Sequence, residues 1–333
     1  TLLAVYFLFT LVGLYLRCKG QAPADLEAIA RDGGRYVKTP QGRIVEYFVW
    51  GCRQPDATVA VIIHGQAVTG KCSQLLYPED ILQRLNVKAI APSCPGHGYT
   101  DAVPNRRLAL WPKDDLEHVL KQEGVEQFIV EGWSYGTAHA MAAASYFGES
   151  KCVAMGLNCP YLCRDICREH GMKTDADMIL SERATDSAAI APVYALLGLI
   201  WPIVAKGMSM IEDTKIAVKE DPELFAAFEA DVRRGAVRGV APHVQEMLNQ
   251  ETNQVWQDPR TLKTKNVAVW YAKDDTQCPP EHGKWLAELF EGKAPDGVKC
   301  NNRAAEYKWG HFSFVKKEER GNLIKALIDL MRS

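Results

Sequence analysis

The stretch VEGWSYGTAHAMAAA, residues 130–144, carries a serine between two glycines in the pattern G-x-S-x-G. Apolar residues lead into it and predict a short buried strand, and the alanine-rich residues that follow predict a helix. A strand that passes directly into a helix turns sharply, and Gly132 and Gly136 lack the Cβ atoms that would clash at such a turn. Ser134 would lie strained and exposed at the apex, with the Tyr135 N–H aimed at a developing oxyanion. The pattern predicts a nucleophile elbow, although so short a motif also recurs by chance.

Strand and helix patterns alternate on both sides of this elbow. Apolar runs predict buried strands at 58–63, 87–91, 128–130, 153–157 and 267–272, a hairpin at 35–50, and a last strand at 304–308. Helical patterns include residues 78–85, 137–147, 281–290 and 323–331. This alternation predicts an α/β fold with a mostly parallel central sheet covered by helices on both faces. His64, Ser134 and Asp275 each fall just beyond a predicted strand, at the edge where such sheets bind ligands.

About a hundred residues, 160–259, have helical patterns and no clear strand. We therefore predict an α/β core of residues 35–159 and 260–333, interrupted by a helical cap or lid before the strand that carries the acid. The apolar residues 190–210 are broken by two prolines, which favours lid helices over a membrane span, with packing between cap and core as the alternative. Three arginines near the end of the insertion are interpreted as a solvated face: Arg233, Arg234 and Arg238.

The N-terminal residues 1–16 carry no charge and are followed by Arg17 and Lys19. The run is slightly shorter than the ~20 residues that span a bilayer, but its cationic flank is typical of a stop-transfer segment. We predict that residues 1–20 form a membrane anchor with the remaining chain on the cytosolic side. A signal peptide cleaved near residues 22–24 is the alternative.

Composition narrows the classes of partner. The net charge of −2 gives no indication of nucleic-acid binding, and the 47% hydrophobic content is ample for a core. Ten cysteines are scattered along 333 residues, unlike a small disulfide framework. Cys159, Cys163 and Cys167 recur every four residues and could line one helical face, but a metal site needs further ligands at suitable spacing. We predict no metal and no cofactor.

Four short motifs, taken in order, resemble one family. They are His64-Gly65-Gln66 after an early strand, the elbow around Ser134, Asp274-Asp275 after a late strand, and Gly310-His311-Phe312 near the end. Because the motifs occur in this order, the chain resembles the α/β-hydrolase-fold serine hydrolases, in particular lid-containing esterases and lipases. The resemblance extends from about residue 35 to the end.

The resemblance implies a role for each motif. Ser134 would be the nucleophile, and His311 would be its base because a serine hydroxyl needs one at neutral pH. Asp275 would orient the imidazole, since Ala272 and Pro279 frame it as in the family pattern, with Asp274 as the alternative. The backbone amides of Gln66 and Tyr135 would form the oxyanion hole, and His64 and His97 would be structural. Trp133 and Tyr135 would either line the pocket or pack the elbow.

The expected activity is hydrolysis of an ester, thioester or amide of an apolar, lipid-like acyl group. Acyl transfer and C–C bond hydrolysis use the same triad and stay open as alternatives. A non-catalytic relative, acting as a receptor or as an accessory subunit of a membrane complex, is the alternative from another class. The expected partners are a small-molecule or lipid substrate and, through residues 1–16, a membrane.

Overall fold

The computed structural model describes residues 2–103, 106–172, 203, 219, 221–240, 258–262, 264, 266–292, 299–305, 310–315 and 321–332. In this part of the chain eight strands form one sheet in the order β1-β2-β4-β3-β5-β6-β7-β8. The strands are β1 (Arg35–Lys38), β2 (Ile44–Gly51), β3 (Thr58–Ile63), β4 (Val87–Pro92), β5 (Phe128–Trp133), β6 (Cys152–Asn158), β7 (Asn266–Ala272) and β8 (Lys299–Ala305). Strand β2 is antiparallel to both of its neighbours, and all other pairs are parallel. The predicted mostly parallel sheet is confirmed.

Helices connect and cover the strands. The described ones are α1 (Leu2–Lys19), α2 (Leu26–Arg31), α3 (Gly70–Leu76), α4 (Glu79–Arg84), α5 (Glu117–Gln122), α6 (Gly136–Phe147), α7 (Arg164–Glu169), α8 (Pro222–Gly235), α9 (Pro280–Gly292) and α10 (Asn322–Arg332). Several begin at side chains that accept from the first free N–H groups: Asp25 caps α2, Thr69 caps α3 and Asp221 caps α8.

The core lies on both faces of the sheet. Successive residues of a strand point to opposite faces, so Val61 and Val130 pack on one side while Ile62 and Ile129 pack on the other. One face is covered by α3, α4, α8 and α10, and the other by α5, α6 and α9. The predicted coverage on both faces is therefore confirmed.

One strand boundary and one helix differ from the predictions. The last strand, β8, begins at Lys299 instead of Ala304, because its sequence KCNNRAA lacks an apolar run and its register comes from backbone pairing with β7; residues 306–308 of the predicted strand lie outside the described residues. Helix α3 has no counterpart among the predicted helices, since it is short and starts at Gly70. A Cβ at that position would lie 2.3 Å from the Ala91 carbonyl oxygen, so the glycine is needed for close packing.

The cysteine prediction also needs correction. Cys159 follows β6 with a positive φ of 46°, and α7 begins only at Arg164, with Cys163 as its cap residue. The three cysteines therefore do not share a helical face, because the backbone before residue 164 is not helical.

Within residues 160–259, where the sequence predicts a cap, the structure describes α7 and α8. The apolar residues 190–210 lie outside the described residues except for residue 203. At the N-terminus, the apolar run forms α1, which continues through Arg17 to Lys19. Across the part of the chain that the structure describes, no helix combines the length and apolarity required to cross a membrane.

Candidate active site

Ser134 lies at the turn between β5 and α6, where its φ of 55° is in the left-handed region. Few non-glycine residues adopt this conformation, so the surroundings must hold it. The flanking glycines allow backbone to pack against backbone: a Cβ on Gly132 would lie 2.3 Å from the Gly136 carbonyl oxygen, and one on Gly136 would lie 2.4 Å from the Ile63 carbonyl oxygen. The Ser134 N–H donates to the Asn158 carbonyl at 2.8 Å. The turn has the geometry that the sequence predicts.

The loop after β3 packs directly on this turn. A Cβ on Gly65 would lie 3.2 Å from Ser134 Cβ, so the loop backbone passes beside the nucleophile candidate. The His64 ring holds the loop from below: its Nε2 accepts from the Cys94 N–H at 2.9 Å, and its Nδ1 lies 2.6 Å from the Gly65 carbonyl oxygen. Burial lowers the pKa of His64 to about 4. A neutral ring bonded to backbone at both nitrogens fits a structural role.

Gln66 follows Gly65 on this loop, and Tyr135 stands at the N-terminal end of α6. Gln66 is thus the residue after the one that packs on Ser134, and Tyr135 is the residue after Ser134 itself, so the two amides proposed for an oxyanion hole belong to different chain segments. The side chain of Tyr135 is buried with Leu108 and Tyr161 in a small apolar cluster. Its ring packs against the elbow helix, which favours the packing interpretation for this residue.

His311 and Asp275 form a buried pair. His311 is the second residue of a short 3-10 helix (Gly310–Val315), and its Nδ1 lies 2.9 Å from Asp275 Oδ2. The other carboxylate oxygen of Asp275 accepts from the backbone amides of Gln277 and Cys278 at 2.9 and 2.8 Å. Asp274 instead accepts from the Gly310 N–H at 3.2 Å and so fastens the histidine turn. The structure brings Asp275, and not Asp274, to the imidazole.

The charge environment favours a protonated imidazole when a proton arrives. Burial alone would lower the pKa of His311, but the Asp275 carboxylate outweighs burial and raises that pKa well above its ordinary value. His311 is only 2% exposed. The buried Asp275 carboxylate therefore stabilises the imidazolium that forms when His311 accepts a proton.

Two thiols that the sequence analysis did not place at this site lie beside this pair. Cys278 Sγ is 3.8 Å from Ser134 Oγ and also interacts with His311, so the thiol is next to both residues. Cys159 Sγ lies 3.6 Å from the His311 carbonyl oxygen. The four-residue repeat that includes Cys159 gave no indication of this position, and only the location of Cys278 three residues after Asp275 could have indicated the second thiol. In this structure Ser134 makes its side-chain contact to Cys278, and no hydrogen bond joins Ser134 to His311.

Cys159, Asp275 and His311 are also the one group of possible metal ligands that the described residues bring together, with ligand atoms within 4.8 Å of one another. The oxygens of Asp275 already serve His311 Nδ1 and two backbone amides. The donor set is therefore better matched to an acid–base pair than to a cation.

Aromatic rings connect the elbow to the histidine turn. The Trp133 ring lies 5.3 Å from both His311 and Phe312, and its Nε1–H donates to the His311 carbonyl at 3.2 Å. Trp133 is 4% exposed, so it packs the site instead of lining an open pocket. Phe228 of α8 completes this packing, 6.1 Å from Trp133 and 5.3 Å from Phe312.

Comparison with known proteins gives the class. Residues 60–319 match the model of the alpha/beta hydrolase family, which covers more than half of the chain. The chain therefore belongs to the alpha/beta hydrolase family.

Solved structures agree with this fold. The chain is similar to the esterase EaEST from Exiguobacterium antarcticum (TM-score 0.64, 15% identity, 90% of this chain and 100% of that one). It is also similar to an enol-lactonase from Burkholderia xenovorans LB400 (0.63, 12%, 90% and 100%) and to the esterase RhEst1 from Rhodococcus sp. ECU1013 (0.60, 22%, 90% and 99%). At these identities the likeness is one of fold. No curated protein matches the chain in sequence.

Proposed function

We propose that the chain is a serine hydrolase that cleaves a carboxylic ester through Ser134, His311 and Asp275. The observation that carries the proposal is the combination of a strained serine at a strand-to-helix turn with a buried His311–Asp275 pair. The Cys278 thiol, which contacts Ser134 Oγ, lies between them. Chance produces a G-x-S-x-G motif easily, but it does not also bring a carboxylate-oriented imidazole to the same turn.

The chemistry follows from these positions. Ser134 Oγ attacks the acyl carbon while His311 Nε2 takes its proton, and Asp275 stabilises the imidazolium at Nδ1. The amides of Gln66 and Tyr135 bind the developing oxyanion. His311 then protonates the leaving alcohol, and water repeats the sequence on the acyl-enzyme. The Ser134–His311 hydrogen bond forms when substrate binds, since catalytic hydrogen bonds are often loose in the free enzyme.

The substrate class is an ester with an apolar acyl group. Support comes from the apolar surroundings of the elbow, where Leu108, Tyr135, Tyr161 and Cys278 cluster. Several solved structures of similar fold are esterases, and one is an enol-lactonase. Thioesters and amides would react through the same steps, as would acyl transfer or C–C hydrolysis.

A fluorophosphonate probe separates the enzyme from a non-catalytic relative. We expect covalent labelling of Ser134 in the wild type and none in Ser134→Ala. A panel of acyl esters of increasing chain length, run beside Ser134→Ala, then defines the substrate. Folded protein that neither labels nor turns over any ester would favour the receptor or accessory-subunit alternative.

We also propose that residues 1–16 attach the protein to a lipid surface, with the catalytic domain on the cytosolic side. The support is the exposure of apolar side chains on α1, which reaches 62% for Phe7 and Tyr15 and 58% for Leu8. Transfer of such rings and aliphatic groups out of water lowers the free energy. Deletion of residues 1–20 should abolish sedimentation with phosphatidylcholine vesicles. A truncated protein that still sediments would refute the attachment without touching the hydrolase proposal.

A further inference from the structure

Helix α8, within the predicted cap, is hydrogen-bonded to the loop that follows β3 through the side chain of Asp231. Asp231 Oδ2 accepts from the Thr69 backbone N–H at 2.7 Å, and Asp231 Oδ1 accepts from the Thr69 hydroxyl at 2.7 Å. Asp231 is 3% exposed, and Thr69 is fully buried. Two short hydrogen bonds to one ionised carboxylate are stronger than neutral ones and fix both the backbone and the side chain of Thr69.

Thr69 stands at the end of a short, strained segment. The segment begins at Gly65, whose backbone packs on Ser134, and passes through Gln66 to Ala67, which has a φ of 69°. A non-glycine residue in this region persists only where its surroundings determine it. Thr69 also starts α3, because its hydroxyl accepts from the Lys71 N–H at 3.2 Å. The loop is therefore held at one end by the elbow and at the other by Thr69.

Arg234, one turn after Asp231, locks the helix in place. Its guanidinium donates to Asp32 at 2.7 Å, to the Thr69 hydroxyl at 3.1 Å and to both oxygens of the fully buried Glu46. Arg238 continues the contact, donating to Asp101 and to the Tyr99 carbonyl. The expectation of a solvated arginine face is wrong for these two, because their side chains are only 10% and 5% exposed and each is paired with a carboxylate.

Only the third arginine behaves as expected. The Arg233 side chain is 51% exposed and pairs with Glu229 one turn earlier on the same helix. Asp231 and Arg234 of α8 thus contact Thr69, whereas Glu229 pairs with Arg233 on the same helix. Glu229 therefore provides a control carboxylate within a single helix.

We propose that Asp231 is a positioning residue for the oxyanion loop, holding Thr69 so that the Gln66 amide keeps its place beside Ser134. The inference rests on the proposed function. Asp231 does not touch the substrate; it acts through Thr69, three residues after Gln66. The geometry needs the carboxylate form, which accepts at both oxygens. Burial raises the pKa of Asp231 to about 6, against the Thr69 hydrogen bonds and Arg234, which lower it, so the group is ionised at pH 8.

The test compares Asp231→Asn with Glu229→Gln at pH 8. The asparagine offers an N–H2 group where Thr69 needs an acceptor, so one of the two hydrogen bonds is lost. We expect kcat to fall 10- to 100-fold with KM changed less than threefold, because an oxyanion hole acts mainly in the transition state. Binding of a boronic acid that forms a tetrahedral adduct on Ser134 should weaken by a similar factor. Glu229→Gln should leave all three quantities unchanged.

A second pair of variants guards against misfolding of Asp231→Asn. Thr69→Ser keeps the hydroxyl, and Thr69→Val removes it at nearly constant shape, so the serine variant should retain at least tenfold more kcat than the valine variant. Equal kcat for the two, or an unchanged kcat and boronate affinity in folded Asp231→Asn, would overturn the proposal.

Hydrogen exchange separates this inference from the proposed function. The amides of residues 66–70 should exchange at least tenfold faster in Asp231→Asn than in the wild type, while those of β5 do not change. Unchanged exchange would overturn the clamp even in an active enzyme. Conversely, a wild type that hydrolyses no ester and does not label would refute the hydrolase, and the exchange result would still decide whether Asp231 holds the loop.

Discussion

The elbow around Ser134 and the loop from Gly65 to Thr69 meet at one point, but they are held in opposite ways. The elbow keeps its strained φ because two glycines let backbone segments pack at distances that exclude any side chain. The loop keeps its own strained residue, Ala67, between a glycine contact and a carboxylate from a distant helix. The elbow is thus fixed by the absence of side chains at its two glycines, whereas the loop is fixed by the Asp231 side chain, 162 positions after Thr69 in the chain.

This difference separates local from long-range information. The residues that define the elbow fall within five consecutive positions, whereas the loop depends on a partner that no local pattern reveals. We therefore expect substitutions at the elbow to lower activity through steric clashes or loss of a reacting group. Substitutions that affect the loop should lower activity by making its backbone more mobile.

The largest effect should come from the reacting groups at the elbow. Ser134→Ala and His311→Ala should each lower kcat by roughly 10⁴- to 10⁶-fold, because triad residues act as a unit. The double variant should be little worse than either single variant in the same ester assay. Losses that multiply would mean that Ser134 and His311 do not serve one mechanism.

The two neighbouring aspartates should differ sharply. Asp275→Asn should lower kcat about 10⁴-fold, since asparagine favours the wrong imidazole tautomer and cannot stabilise imidazolium. Asp274→Asn should cost less than tenfold, because it still accepts from the Gly310 N–H. Steady-state kinetics on the two isosteric variants gives the comparison directly. A more damaging change at 274 would move the catalytic acid by one residue.

Steric crowding at the elbow can be broken without touching a reacting group. Gly132→Ala forces a Cβ to 2.3 Å from the Gly136 carbonyl oxygen, so we expect unfolding free energy to fall by about 3 kcal/mol and fluorophosphonate labelling to drop. The control is Gly124→Ala, which has open space and a φ of +65°. It should cost about 1 kcal/mol through backbone strain and leave labelling unchanged. Equal costs would mean that crowding does not hold the elbow.

The smallest effect concerns the buried carboxyl just before the elbow. Burial raises the pKa of Glu131 to about 8, against the neighbouring Tyr77 and Asn158, which lower it. Because the folded pKa lies above the unfolded one, the stability that Glu131 contributes is complete below about pH 4.5 and is lost as the pH rises to about 8. Glu131→Gln should remove this dependence.

Denaturant unfolding at several pH values measures it. Between pH 6 and 8 the wild type should lose on the order of 2 kcal/mol relative to Glu131→Gln, and the difference should level off above pH 8. Parallel curves for the two proteins would show that Glu131 titrates alike in the folded and unfolded chains.

The sequence predicts the parts of the molecule whose causes are local. Strands β3, β4 and β7 are buried on both faces and appear as apolar runs, and the glycines of the elbow mark a turn that tolerates no side chain. Strand β8 is different, because it is polar and acquires its register only by pairing with β7. Its position could not be predicted from side-chain pattern.

The candidate site divides in the same way. Motif order indicates Ser134, His311 and Asp275, and the structure brings the last two together. The buried arginines escaped prediction because a charged side chain in an amphipathic helix is usually solvated, and the carboxylates that accept from them lie on remote segments. The spacing of three residues between Asp231 and Arg234 is the one signal that these two side chains share a helix face, and Arg238 lies beyond the end of α8.

The thiol of Cys278 changes what an inhibitor profile of this hydrolase would mean. A carbamidomethyl group on a sulfur 3.8 Å from Ser134 Oγ would fill the space that an acyl carbon needs. Iodoacetamide would then inactivate the proposed serine hydrolase as though its nucleophile were cysteine. Burial raises the pKa of Cys278, so the inactivation would be slow near neutral pH and faster in alkaline buffer. Sensitivity to a class of reagent therefore cannot identify the nucleophile. The mass of the modified peptide can, because it shows whether residue 134 or residue 278 carries the modification.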